Sequence, residues 1–482
     1  MVRTNRLNFS EASLTFVANA VIDSKSRALI RLNNIKFSTI YINSMKLSRT
    51  LTLLGLVLLF LLISMNSAAA FCGFYVAKAD SELYNQASQV IIARDGKRTV
   101  LTMANDYQGE VNDFAMVVPV PVILTEEQVK VGEPKIIERL DAFSAPRLVE
   151  YFDEDPCTRS YLEDELFRTP AAPQAASEMK ESRNNALGVT VEEAFSVGEY
   201  DIVILSAKES SGLEVWLREN GYKIPNGASE ILRPYIQQNL KFFVAKVNLT
   251  EYENTGFKSL RPLMMAYESP KFMLPIRLGM LNAQGEQDLI VYLLSPKGQV
   301  ELTNYRTVKV PSDVEIPEFI QQEFAPFYKA MFTKSYERNG KKVAFVEYAW
   351  NMANCDPCSA QPLNREELEK AGVFWLNNSR FNNVFITRLH VRYQRDNFPE
   401  DLKFQETANN QLFQGRYIIR HPFREKRGCD AAKSYYQSVR ERQDKEAITL
   451  SRLTGWNLYD IRKKINFVEF ENVPWWQRIF GS

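Results

Sequence analysis

Apolar and polar residues alternate in short runs along most of this chain, the period expected of half-buried strands. Residues 88–93 and 98–103 flank Arg94-Asp95-Gly96-Lys97, and an Asp-Gly between two β-rich runs predicts a hairpin. The run 114–124 carries Pro119 and Pro121, which confine it to a sheet edge or an extended segment because proline cannot donate to a strand ladder. Further strands are predicted at 200–206, 240–248, 272–281, 288–294, 300–310, 343–350, 383–393 and 413–419. Helical spacing is rarer. Thr125-Glu126-Glu127-Gln128 is a capping box, and a helical pattern resumes at 134–140. A helix opened by Ser211-Gly212-Leu213-Glu214 stops at Asn220-Gly221, and another helix is predicted over 317–332. Asn364-Arg365-Glu366-Glu367 caps a further helix, and the longest spans 430–454 and ends at Gly455.

This mixture predicts an α+β protein of mainly antiparallel sheets with flanking helices, arranged in two or three lobes. The punctuation divides the chain into a β-rich unit over 71–168, a Pro/Ala-rich linker over 169–186, an α+β middle unit over 187–335 and an α+β C-terminal unit over 336–482. A length of 482 residues suits two or three units of ordinary domain size, and 45% hydrophobic with 24% charged residues excludes bulk disorder.

The first 70 residues differ. A basic start at Met45-Lys46-Leu47-Ser48-Arg49, an apolar run over 51–63 and Ala68-Ala69-Ala70 before Phe71 make the three-part layout of a signal peptide over 45–70. The same stretch is uncharged from Thr50 to Ala77, so membrane attachment through 51–70 is its alternative role. Both roles predict an extracytoplasmic body, at the periplasm, the cell surface or beyond. Residues 1–44 are polar and read as a leader or a start-site artefact. Residues 1–70 hold eight Lys and Arg against two Asp and Glu; in a chain of net charge +1 the remainder therefore carries about −5. A mildly acidic body gives no electrostatic footprint for nucleic acid.

Cys72-Gly73-Phe74-Tyr75-Val76, Ala87-Ser88-Gln89-Val90, Asn105-Asp106-Tyr107, Val117-Val118-Pro119-Val120-Pro121 and Cys355-Asp356-Pro357-Cys358 together resemble a bacterial family, domain of unknown function 2330. Arg388-Leu389-His390-Val391-Arg392-Tyr393, Gln405-Glu406-Thr407 and Gly415-Arg416-Tyr417 extend the resemblance, which runs from about Cys72 to Trp456. It implies an exported or envelope-attached bacterial protein and carries over no reaction. The departure is the leader 1–44.

Chemistry is concentrated in the cysteines. Cys72, Cys157, Cys355, Cys358 and Cys429 all follow the cleavage pattern, and in an exported chain each is a disulfide candidate. Cys72 with Cys157 is the expected long-range bridge, because the two bracket the first unit, and Cys355 with Cys358 the expected local one. The Cys-x-x-Cys pair has two other readings: a redox dithiol with Cys355 and Cys358 catalytic, or a metal half-site completed by His421 or Cys429. The first helix start after the pair is Asn364, too far along the chain to lower a thiol pKa. His390 and His421 are the only histidines, and His390 alternates with Arg388 and Arg392 on one face of a strand, as a satisfied or exposed side chain. Asp153-Glu154-Asp155 and Glu163-Asp164-Glu165 offer paired carboxylates for a hydrolase or a solvated loop. No hydrolase, P-loop or dinucleotide signature occurs, and no cofactor is expected. The leading expectation is a non-enzymatic binding or scaffold module for an envelope protein or ligand; thiol–disulfide oxidoreductase is second and carboxylate-based hydrolase third.

Overall fold

The computed structural model describes residues 74–77, 84–85, 88–104, 107–108, 114–158, 189–220 and 228–469, apart from 258–259, 282–284, 355, 357–359, 377–382 and 428. The leader, the 45–70 segment, the 169–186 linker, Cys72, Cys355, Cys358 and Glu163-Asp164-Glu165 lie outside the described residues. Among the described residues no helix is long and apolar enough to cross a membrane.

A nine-stranded sheet forms the centre. Its strands are β1 (Ser88–Asp95), β2 (Arg98–Ala104), β3 (Val129–Val131), β4 (Leu263–Glu268), β5 (Gln287–Ser295), β6 (Arg306–Lys309), β7 (Val343–Asn351), β8 (Phe385–Tyr393) and β9 (Phe413–Gln414). The spatial order is β6-β7-β8-β5-β1-β2-β4-β3, with β9 also paired to β7. All pairs are antiparallel except β1 with β5 and β6 with β7. The predicted hairpin is β1–β2: Asp95 pairs with Arg98, and Gly96 supplies the positive φ of 61° that the two-residue turn requires. Strands from all three stretches of sequence meet in this one sheet, so the described residues make a single compact unit.

A second, five-stranded antiparallel sheet contains Phe74–Ala77, Phe114–Val120, Lys241–Val247, Tyr200–Ala207 and Val189–Val197 in that order. Pro119 sits where this rule of proline placement demands. Beyond Val117 the Phe114–Val120 strand has no neighbour on one side among the described residues, so Pro119 lies where the strand is locally an edge. The two sheets pack face to face: Val90, Leu101, Leu289, Val291, Leu389 and Val391 share a core with Met116, Val118, Ile202, Ile204 and Phe243. The outer face of the smaller sheet is covered by helices Ser210–Glu219 and Ala228–Gln237, through Leu213, Leu217, Leu232 and Tyr235. The outer face of the large sheet lies under α1 (Pro134–Ser144) and α2 (Phe324–Arg338). The layers thus run helix, sheet, sheet, helix, an α+β architecture with mainly antiparallel sheets.

A three-stranded parallel sheet, Val314–Glu315, Arg416–His421 and Arg147–Phe152, lies against the long helix α3 (Asp430–Thr454). Gly455, at φ 78°, ends α3 where the sequence predicts. The strands Arg147–Phe152 and Arg416–His421 pair in parallel to their last residues, and beyond them a disulfide joins Cys157 to Cys429. This corrects the expected Cys72–Cys157 bridge. Bracketing in sequence is a poor guide here, because the parallel pairing of His421 with Phe152 sets Cys157 beside the start of α3 instead.

Candidate functional site

On β8 the alternation Arg388, Leu389, His390, Val391, Arg392 sends two apolar side chains into the sheet interface and three cations towards α1 and α2. β5 faces them in register, with Asp288 opposite Arg392 and Tyr292 opposite Arg388. On the other side β7 is bulged. Val346 pairs with Leu389 and Tyr348 with Arg388, which leaves Glu347 as the extra residue. At the same point the outer neighbour of β7 changes from β6 to β9, and Gly415 N donates to the Glu347 carbonyl at 2.7 Å. Glu347 follows Val343 and Phe345 on the outer face, and the bulge brings Tyr348 onto that face beside it, with the Glu347 carboxylate between two cations.

Glu347 is 1% exposed. Its Oε2 accepts from Arg388 Nε at 2.6 Å, while its Oε1 lies 2.7 Å from His390 Nδ1 and also accepts from the Tyr328 hydroxyl of α2. His390 Nε2 is 3.0 Å from Asp288 Oδ1. Because both neighbours of the ring are carboxylates, both nitrogens donate and the side chain is an imidazolium. Arg392 grips Asp288 bidentately at 2.8 and 2.9 Å and also donates to Thr333 on α2. Arg388 Nη1 reaches Asp141 of α1 at 2.7 Å. Phe332 stacks on His390 with centroids 3.8 Å apart, and Arg392 lies over the same ring.

Burial works against the charges of Glu347, Asp288, Arg388, His390 and Arg392, and the partners outweigh it. For Glu347 burial raises the pKa, but His390 and Arg388 beside it bring the carboxyl down to about 2. Burial likewise disfavours the His390 cation, yet Glu347 and Asp288 hold its pKa above the ordinary value. Desolvation pushes the Tyr328 hydroxyl well up, and Glu347 adds to this, so it remains a donor. The cluster is a closed set of ion pairs that ties both covering helices to three strands.

The other histidine repeats the arrangement nearer the surface. His421 Nε2 is 2.7 Å from Glu150 and its Nδ1 3.1 Å from Glu318, which also pairs with Arg424, and Phe152 stacks on the ring. Each histidine therefore lies between two carboxylates and against a phenylalanine; both carboxylates at His390 carry an arginine, and at His421 Glu318 does. The expected acidic loop is engaged as well: Asp153 binds Arg442 and the Tyr435 hydroxyl, each at 2.7 Å, and Asp155 binds Arg427 at 2.8 Å. Of the Cys-x-x-Cys motif only Asp356 is described. It is buried and accepts from Tyr348 Oη at 2.9 Å and Gln414 Nε2 at 2.7 Å, which ties Asp356 to β7 and β9. The helix after it, Arg365–Lys370, starts at the capping box of Asn364 and Glu367. Among the described residues no group of three metal-ligating side chains forms.

Sequence reading placed Arg388, His390 and Arg392 on one face and missed what they face. Glu347, Asp288, Asp141 and Tyr328 come from four other elements, and the one local signal was a glutamate within the apolar run of β7.

Fold and site together define an α+β protein of two packed, mainly antiparallel sheets with a buried cross-strand ion cluster. Residues 66–405 match the model of an uncharacterized protein family conserved in bacteria, domain of unknown function 2330, and the chain belongs to that family. No curated protein and no solved structure matches it.

Proposed function

We propose that this chain is an extracytoplasmic protein of the bacterial cell envelope that acts as a binding or scaffold module. The observation that carries the reading is the Cys157–Cys429 bridge, which spans a sequence separation of 272. Such long-range bridges persist in oxidising compartments and are rare in the cytosol. The ion cluster on β5, β7 and β8 supports a structural role for the chain's most unusual chemistry, since Glu347, Asp288, Arg388 and His390 are all engaged with one another or with the helices. The 45–70 segment serves as the export signal or as the membrane attachment. Fractionation of cells producing the full chain tests this: the protein is expected in the extracytoplasmic or membrane fraction, and recovery in the cytosol alone would contradict it. The runner-up, a thiol–disulfide oxidoreductase, predicts insulin reduction that Cys355→Ser abolishes; that result would replace the present reading.

A further inference from the structure

Between helix Ala228–Gln237 and the loop that follows β8 lies a cleft of about 400 Å³ lined by Glu230, Ile231, Arg277, Met280, Arg395, Phe398 and Pro399. Its size falls within the range of small-ligand sites, roughly 300 to 1,000 Å³. The floor is fixed. Phe398 is fully buried, and the Arg277 guanidinium lies over the Tyr235 ring, 4.6 Å from its centroid. Asp401 holds that guanidinium in place, accepting from its Nε at 3.1 Å and its Nη2 at 2.8 Å. The same carboxylate also takes the Tyr235 hydroxyl and the Ile276 and Arg277 amides, so it is committed to positioning Arg277.

The rim is built differently. Arg395 and Glu230 face each other at 3.6 Å, beyond hydrogen-bond distance, and their side chains are 63% and 72% exposed. An ion pair that loose and that wet holds its two ends together only weakly, so a ligand separates them at little cost. Counting Arg277, Arg395, Glu230 and Asp401, the charges of the site cancel. A simple anion or cation therefore finds an opposing charge beside its partner, whereas a ligand carrying both signs replaces the rim pair with two shorter contacts. Ile231, Met280 and Pro399 supply an apolar wall for the rest of such a molecule, with the buried Phe398 behind it.

We propose that this cleft binds a small zwitterion with an apolar side chain, of the class of the free apolar amino acids, with its carboxylate on Arg395 and its ammonium on Glu230. The proposal deepens the reading of the chain as a binding module and rests on it. Isothermal titration of the full-length protein with L-leucine, L-methionine and L-phenylalanine is the test. Saturable one-to-one binding of at least one is expected, lost for its N-acetyl derivative and for its amide, and weakened about tenfold or more by Arg395→Ala and by Glu230→Gln. Both substitutions lie on exposed side chains, and an unchanged melting temperature shows that each variant is folded. Absence of binding by all three, or binding that either variant or either derivative retains at full strength, would overturn the proposal. That failure is distinct from failure of the envelope reading, which fractionation decides without any ligand.

Discussion

Glu347 is the residue on which the ion cluster depends. Removing it leaves Arg388 and His390 buried beside each other without their shared counter-charge, so Glu347→Ala is expected to cost about 3–5 kcal/mol in urea unfolding. The exposed Arg98–Glu268 pair serves as the control, since Glu268→Ala should cost less than about 1 kcal/mol. The pH dependence has two limbs. The carboxyl of Glu347 is depressed from its ordinary 4.5 to about 2, so its contribution is present above pH 4.5 and lost as pH falls towards 2. His390 is raised from its ordinary 6.5, so its contribution is present below pH 6.5 and lost as pH rises through the folded-state value. The difference in unfolding free energy between wild type and His390→Gln should therefore be greatest below pH 6.5 and shrink at alkaline pH; a difference independent of pH would contradict the imidazolium. Glu446 on α3 behaves in the opposite sense for an acid. Burial lifts it to about 7 against the pull of Arg442, whose Nε stands 3.5 Å away without a hydrogen bond, and Glu315 and Glu318 add to the rise. The cost of ionising it grows from pH 4.5 to above 7, so Glu446→Gln should add about 1–3 kcal/mol at pH 8 and nothing at pH 4.

At the scale of elements, what was legible in sequence was whatever has a local cause. The Asp95-Gly96 hairpin, the strands β5, β7 and β8, the capping box at Asn364 and the end of α3 at Gly455 follow from period, turn chemistry and caps within a few residues. The bulge at Glu347 was not legible, because it arises where β7 exchanges β6 for β9, and those neighbours lie on opposite sides of it in sequence. Strand Arg147–Phe152 was missed for a related reason: its partner Arg416–His421 is far along the chain, and pairing makes it a strand more than its own composition does. The turn after β5 is a second place where the fold leans on one residue. Gly298 has φ 148°, and a Cβ there would stand 2.6 Å from the Asn409 carbonyl oxygen. Gly298→Ala should therefore destabilise the protein by about 2–4 kcal/mol, through backbone strain and a collision with backbone that has no flexible end to move; a loss below about 1 kcal/mol in thermal unfolding would show that the turn relaxes.

For the whole molecule, the layered sheets draw strands from the full length of the described chain, and one covalent link joins its first third to its last. In the chain-entropy account a loop of this size contributes about 5 kcal/mol, so Cys429→Ser should lower the urea midpoint substantially, and by the same amount as Cys157→Ser. Sequence showed that bridges were to be expected but paired Cys157 with Cys72, since the true connectivity is set by the parallel pairing that brings Phe152 beside His421. The claim that joins fold, compartment and role is that this link exists in the native protein. Mass spectrometry of unreduced peptides, from cells quenched in acid and alkylated, tests it most directly: a Cys157–Cys429 linked peptide is predicted. Recovery of Cys157 joined to Cys72, or of Cys157 and Cys429 as alkylated free thiols, would contradict it.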